Sequence, residues 1–404
     1  MRNAVNNLQR WLFIILLYAS SFTGFLFSGG KTMMYVAFDG LIIFLGITSL
    51  GYLRGRLSMI VLFILACIVV NLSYSSNSFM YSMNGVREIL ILVAISLFFH
   101  KVFADDNEDI AEEYIEIFRK FAVFFLVAQI PVAYLQYHQH GPSDWVGGTF
   151  GNKGSGVLTL SIICLIFFAS DYVRNNTQRV LLYCCMLPLL LNETKVSFIF
   201  MPMLIMFLHF KPRLKNIAGA IIGAALFLFV YTNYYGNTGG MEFEGDSVAG
   251  MFSGDFLNEY LMGDIYSSDD IPRFTKIILG WNLCAENIRT LLFGMEYGIF
   301  KGGTVVESSQ FAQSIQFLIS GTRPYVFFLL MQGGLLLIAG LFWLLFHVNE
   351  YFRRNNKFKM FLMLVFLIML FYNDALRNQG FVVIFFFCMF YANSNQYKRI
   401  LEQA

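Results

Sequence analysis

What most constrains this chain is a succession of apolar runs, many of them 15 to 20 residues long, that carry almost no charge. A run of about 20 apolar residues matches the roughly 30 Å hydrocarbon layer of a bilayer. The composition agrees, with 57% of residues apolar and 13% charged, whereas soluble domains carry about 25% charged residues. Whole-chain disorder, a collagen or coiled-coil rod and a basic nucleic-acid binder are excluded on the same ground. The net charge of +2 points to no partner, because the 28 basic and 26 acidic residues are segregated along the chain. The sequence alone predicts an all-α polytopic membrane protein.

Hydropathy places spans near 11–28, 33–53, 57–74, 85–103, 120–138 and 154–173, then two short ones near 180–192 and 196–210. Four more follow near 216–234, 326–348, 358–373 and 380–393. The 180–210 stretch reads as a hairpin broken at Asn192-Glu193-Thr194-Lys195, because basic residues flank both of its ends. The prediction is therefore about 12 transmembrane helices with both termini cytoplasmic. Residues 1–404 form a single transmembrane domain, and a periplasmic lid at 235–325 is inserted between the ninth and tenth helices. Within that lid, Phe274, Ile277, Ile278 and Trp281 recur with helical spacing, which predicts an amphipathic helix over 272–293 ended by Gly294. A second lid helix is predicted over 305–319.

Ionisable groups in apolar surroundings cost a few kcal/mol or more unless paired or hydrated, so each is a functional candidate. They are Asp39, Arg87, Glu88, Lys153, Glu193, Lys195, Arg323, Asp374 and Arg377, joined in the lid helix by Arg273, Lys276, Glu286 and Arg289. The cations predicted on the outer side oppose the usual inward bias of Lys and Arg, and together they suit a ligand with an anionic head. Gly147-Gly148-Thr149-Phe150-Gly151-Asn152-Lys153-Gly154 reads as an anion-friendly loop of exposed N–H groups, although it lacks P-loop spacing. His138 and His140 stand near Asp144 without a third spaced ligand, and the six cysteines show no metal or disulfide spacing. Neither a metal nor any other cofactor is expected.

Several stretches together resemble the bacterial polysaccharide polymerase and O-antigen ligase superfamily. They are Gly148-Thr149-Phe150-Gly151-Asn152, Asn192-Glu193-Thr194-Lys195-Val196-Ser197 and Pro272-Arg273-Phe274. Leu292-Phe293-Gly294-Met295-Glu296-Tyr297-Gly298 follows, and then Arg323 ahead of Met331-Gln332-Gly333-Gly334. The resemblance implies a multi-pass enzyme of the bacterial inner (cytoplasmic) membrane that takes an undecaprenyl-pyrophosphate-linked oligosaccharide as donor. It would act as a membrane glycosyltransferase, inverting and metal-independent, in lipopolysaccharide or capsule synthesis. A polymerase would join the glycan to the non-reducing end of another lipid-linked repeat unit, working among membrane lipids with a chain-length regulator and a flippase.

Carried onto this chain, the resemblance makes Arg273, Arg323 and Arg87 the catalytic cations. Lys153, Lys195, Arg377, Arg289 and Asn152 would bind substrate, and Glu307, Asp374 and His140 are candidates for a base. Ligases of this kind carry a histidine late in the lid. None occurs here between His209 and His347, which favours a polymerase. The alternatives are an O-antigen ligase acting on lipid A core, a lipid-linked glycan flippase or secondary transporter, and a glycosyltransferase using polyprenyl-monophosphate sugars.

Overall fold

A computed structural model of the chain describes residues 2–26, 31–76, 78–104, 107–141, 145–151, 154–192, 195–209, 271, 273–300, 315, 318, 323–350 and 357–394. Among these residues every element is helical. The first ten helices are α1 (Arg2–Ser21), α2 (Thr23–Leu26), α3 (Lys31–Ile47), α4 (Gly55–Ser73), α5 (Phe79–Val102), α6 (Glu108–His140), α7 (Ser155–Ser170), α8 (Asn176–Cys184), α9 (Leu187–Leu191) and α10 (Lys195–His209). Then come α11 (Arg273–Ala285), α12 (Ile288–Phe293), α13 (Tyr325–Glu350), α14 (Lys357–Tyr372) and α15 (Gln379–Tyr391). Short 3-10 turns stand at Leu50–Tyr52, Gly148–Phe150 and Ala375–Arg377.

These helices correct the expectation of about twelve crossings. Among the described residues only three, Gly55–Ser73, Phe79–Val102 and Tyr325–Val348, are both long and apolar enough to cross a membrane. Met33–Ile47, Ser155–Ser170, Phe200–His209 and Gln379–Tyr391 are apolar but shorter. At 1.5 Å per residue, the 13 residues of α15 reach about 20 Å, well short of the hydrocarbon layer. The physical reason is that a helix surrounded by other helices is apolar on every face, just as a lipid-bathed one is. All of α15 from Gln379 to Tyr391 is buried in protein. The inside placement of both termini and the multi-pass inner-membrane localisation fall with the twelve-span count. The predicted span at 216–234, most of the lid and the helix at 305–319 lie outside the described residues.

Two further segments differ from the sequence reading. The acidic stretch after residue 107 and the apolar run behind it form one 33-residue helix, α6, which continues through Pro131. The lid helix expected over 272–293 is two, with Asn287 capping α12 by accepting from the N–H of Arg289. Near residue 192 the chain does break, into α9 and α10. Asn192, Thr159 and Ser197 close a buried ring there: the Asn192 amide donates to Thr159 at 3.1 Å, Ser197 donates to Asn192 Oδ1 at 3.1 Å, and the two hydroxyls lie 2.9 Å apart.

Helix α15 is the axis of packing, touching α1, α3, α5, α7 and α14. Its Phe387 stacks on Phe118 of α6 with ring centroids 3.8 Å apart and meets Phe13, Phe99, Phe103 and Phe168 within 6.1 Å. Much of the large Phe content therefore faces other Phe. Dense aromatic contact of this kind adds about 0.5–1.5 kcal/mol per pair beyond burial.

At the end of α15, the Tyr391 hydroxyl donates to Asp171, the residue that follows α7, at 3.3 Å. Burial pushes the Asp171 carboxyl up to about 7, against the smaller opposing effect of the Tyr391 hydrogen bond. A carboxyl raised in the folded state holds its proton better there than in the unfolded chain. Its contribution is full below the ordinary carboxylate range and is lost as pH rises towards 7. Denaturation of the purified protein between pH 4 and 8 is expected to show stability falling across that window, with Asp171→Asn flattening the fall. An unchanged slope in the variant would place the titration elsewhere.

Candidate functional site at the link between α14 and α15

The link from Tyr372 to Gln379 gathers most of the costly charges. Arg377 sits in the 3-10 turn Ala375–Arg377, and its guanidinium reaches two carboxylates. Nη2 donates to Glu88 Oε1 of α5 at 2.9 Å, Nε meets the same oxygen at 3.3 Å, and Nη1 donates to Asp374 Oδ2 at 3.0 Å. The plane of Arg377 lies over the Phe328 ring of α13, 4.6 Å from its centroid. Burial alone would lower the Arg377 pKa, but Glu88 and then Asp374 outweigh it and hold the group charged, above its usual value.

One residue before Glu88, Arg87 pairs with Asp39 of α3, Nε to Oδ2 at 2.7 Å, although the N–H is not aligned on that oxygen. The Gln379 amide donates to the other oxygen of Asp39. Adjacent positions in the first half of α5 thus tie α3 on one side and the α14–α15 link on the other. A charge taken out of water demands this; left alone it would carry a penalty of several kcal/mol.

Arg323 stands just ahead of α13, in the field of Arg377, Asp374 and Glu88. Its guanidinium is 5.6 Å from the centroid of the Phe300 ring. Burial, and then the like charge of Arg377, lower its pKa, while Asp374 and Glu88 oppose that. Each of these carboxylates gives one oxygen to Arg377. Among the described residues no carboxylate lies within ion-pair reach of Arg323, and its buried Nε has no hydrogen-bond acceptor.

Arg273 opens α11 and covers the Tyr372 ring, 4.6 Å from its centroid. Beside it, Phe274 stacks on Phe371 of α14 with centroids 6.3 Å apart. Ile278 and Trp281 continue that face of α11, and all four side chains are exposed. An open apolar strip therefore adjoins Arg273.

A second junction holds this region in place. The lid segment after α12 docks on a break in α13 where Gly334 adopts φ 67°. Helix breaks free backbone groups, and here they are bonded inside the protein. Met295 N–H donates to Met331 O at 2.8 Å, and the Asn71 amide of α4 donates to Gln332 O at 3.0 Å and Phe293 O at 2.5 Å. Gly298 N–H donates to the Gln332 side chain at 2.8 Å. Gly294, at φ 81°, lies so close that an added Cβ would sit 2.5 Å from the Gln332 carbonyl carbon. Only glycine satisfies both the left-handed backbone and that approach. Two motifs read separately from the sequence, Leu292–Gly298 and Met331–Gly334, are thus each other's packing surface.

The other sequence candidates have different surroundings. Arg289 is exposed and covers the Tyr74 ring at 4.0 Å. His140 is exposed at the end of α6 beside Trp145. Asn152, Lys153 and Glu307 lie outside the described residues, as does the side chain of Lys195, the first residue of α10. The glycine loop does not offer free N–H groups at Gly148 and Thr149. Gly148 N–H donates to Gln136 at 2.7 Å and Thr149 N–H to Gln129 at 3.0 Å. Lys276, a candidate in the lid helix, is fully buried. The sequence reading missed Asn71, Gln129, Gln136 and Gln379; a lone amide inside an apolar run was the available signal.

The glycan-transfer reading is corrected too. Neither the polysaccharide polymerase, the ligase or flippase alternatives, nor the membrane glycosyltransferase chemistry keeps its basis. Among the described residues three helices, not twelve, are long and apolar enough to cross a membrane, and of the three candidate bases Asp374 is held by Arg377. Among the described residues no group of three or more His, Cys, Asp or Glu is placed to hold a metal ion. No family model matches the chain, and no curated protein does.

If Glu88 is what neutralises Arg377, Glu88→Ala should destabilise the fold by about 3–5 kcal/mol, the usual effect of stranding one partner of a buried pair. The apolar double replacement Glu88→Leu with Arg377→Met should lose less than the single variant. Chemical denaturation distinguishes the two outcomes, and equal losses would show that shape rather than charge is being measured.

Proposed function

We propose that the protein is a binding protein for an anionic amphiphile, a molecule with a phosphate- or pyrophosphate-type head and an apolar tail. The observation that carries this reading is Arg323, a half-buried arginine whose buried Nε has no hydrogen-bond acceptor among the described residues, while Glu88 and Asp374 each give one oxygen to Arg377. Its planar fork of donors matches phosphate oxygens, which accept two parallel hydrogen bonds. Arg273 adds a second cation at the start of the link, over Tyr372. The tail lies along Phe274, Ile278 and Trp281 of α11 and Phe371 of α14, apolar surface that is otherwise exposed. An ordinary inorganic anion would use the arginines alone and leave that strip bare. A prenyl pyrophosphate uses both, and a polyprenyl-pyrophosphate carrier of the kind implied by the sequence resemblance belongs to this ligand class.

Geranyl pyrophosphate, geraniol and inorganic phosphate serve as probes of head and tail. Calorimetric titration of the purified chain is expected to give saturable binding of geranyl pyrophosphate, none of geraniol, and weaker binding of phosphate at this site. Arg323→Gln should weaken geranyl pyrophosphate about 10- to 100-fold, the equivalent of about 1.5–3 kcal/mol for hydrogen bonds to a charged group. Arg323→Lys, which keeps the charge and loses the fork, should fall between the two. Unchanged affinity in Arg323→Gln would remove this reading.

A further inference from the structure

We infer that the outer face of α4 is a lipid contact, seated against the acyl chains of a bilayer. The helix is apolar on both of its sides. Ile60, Ile64 and Ile68 are buried, Ile64 beside Gly340 of α13. On the other side Met59, Leu62, Leu65, Val69 and Val70 are exposed, Leu62 to 62% and Val69 to 64%. A helix that is apolar all round belongs in a protein interior or in hydrocarbon. This one has only half of its surface in the protein.

The ends of the face are polar and its middle is not. Arg54, exposed, precedes the first turn, and Tyr74 follows the last with the Arg289 guanidinium 4.0 Å from its ring centroid. No charged residue occurs from Leu57 to Ser73. Arg54 and Tyr74 are twenty residues apart, which on a helix is about 30 Å, the thickness of the hydrocarbon layer. Arginine at such a boundary meets lipid phosphate, and tyrosine sits at headgroup level. The hydroxyls along the helix turn inward: Ser58 donates to Gly55 O and Ser73 to Val70 O, each at 2.7 Å. The Asn71 amide is spent on the lid junction.

Lipid fits this face better than a second protein surface does. A protein interface carries roughly one hydrogen bond per 100–200 Å², and the exposed side chains from Met59 to Val70 offer none. The same pattern recurs on α6, where Val123, Phe124, Val127, Tyr134 and Leu135 are exposed and no charge occurs from Phe121 to Tyr137. Helix α6 packs on α1, α7 and α9, whereas α4 packs on α12 and α13. A partner docked on α4 would leave α6 bare; lipid acts as a solvent and covers both. The contact involves one of the three described helices long and apolar enough to cross a membrane, and it uses none of the arginines at the α14–α15 link.

Spin labels on the full chain test the inference in vesicles of equimolar phosphatidylcholine and phosphatidylglycerol. The background is Cys184→Ser, which removes the exposed cysteine and leaves five buried ones. Leu62→Cys and Val69→Cys carry the label on the proposed lipid face, and Asn176→Cys, at an exposed position of α8, serves as the aqueous control. Oxygen, which dissolves in hydrocarbon, is expected to broaden the Leu62 and Val69 spectra. A water-soluble nickel chelate should lose its effect at both and keep it at Asn176. Chelate access at Leu62 and Val69 would place the face in water and overturn the inference. Loss of both reagents' effects there would show protein cover, as from a second copy of the chain, and would overturn it equally. So would a chain that stays in the aqueous phase and does not join the vesicles. Both labels replace exposed side chains, so two independent positions report without a core substitution.

Discussion

The ion network around Arg377 is the constraint on which the rest of the described structure depends. A guanidinium sunk between α5 and α13 must find its counter-charges inside the protein, and it finds them on two different elements. Glu88 fixes the first half of α5 against the α14–α15 link, and Asp374 fixes the link's own turn. Arg87 continues the chain of charges to Asp39 and so to α3. Because α15 leaves the link straight into the centre of the bundle, the position of one arginine sets where the Phe387 cluster can form. Apolar burial supplies most of the driving force, but it is nondirectional. The ion pairs fix which way the helices face.

A second constraint works through backbone rather than charge. Gly294 and Gly334 let the lid segment and the break in α13 approach backbone to backbone, and Asn71 bonds two of the carbonyls at the junction. That junction brings α11 and α12 down on α13, and with them Arg273 beside Tyr372. Two sets of contacts therefore hold this region: the carboxylates on Arg377 and the glycine-lined seam between α12 and α13. What remains outside both is Arg323, whose donors neither the carboxylates nor the seam take up.

Much of the local structure was legible in the sequence. The helical character followed from the apolar runs, Gly294 marked a helix end, and the polar interruption at Asn192 marked a break. The costly charges Asp39, Arg87, Glu88, Asp374 and Arg377 stood out because they interrupt apolar runs. Who pairs with whom did not, since Glu88 and Arg377 are far apart in sequence and nothing local links them. Hydropathy misled most where a helix is wrapped by protein: α7 and α15 look like spans because every side touches another helix, yet they are too short to cross. The glycine loop misled for a related reason. Its exposed N–H groups were inferred from glycine content alone, whereas Gln129 and Gln136, two amides in the preceding helix, already accept from them.

The central claim is that the charge network spends its carboxylates on Arg377 and leaves Arg323 for an anionic head. An experimentally determined structure of the chain with geranyl pyrophosphate bound tests it most directly. The account predicts phosphate oxygens within hydrogen-bonding distance of the Arg323 guanidinium, the prenyl chain against Phe274 and Phe371, and the Glu88–Arg377–Asp374 pairs unchanged. Density for the head at Arg289 or on the bundle surface, or Arg323 turned onto Glu88 or Asp374 with the ligand elsewhere, would contradict it.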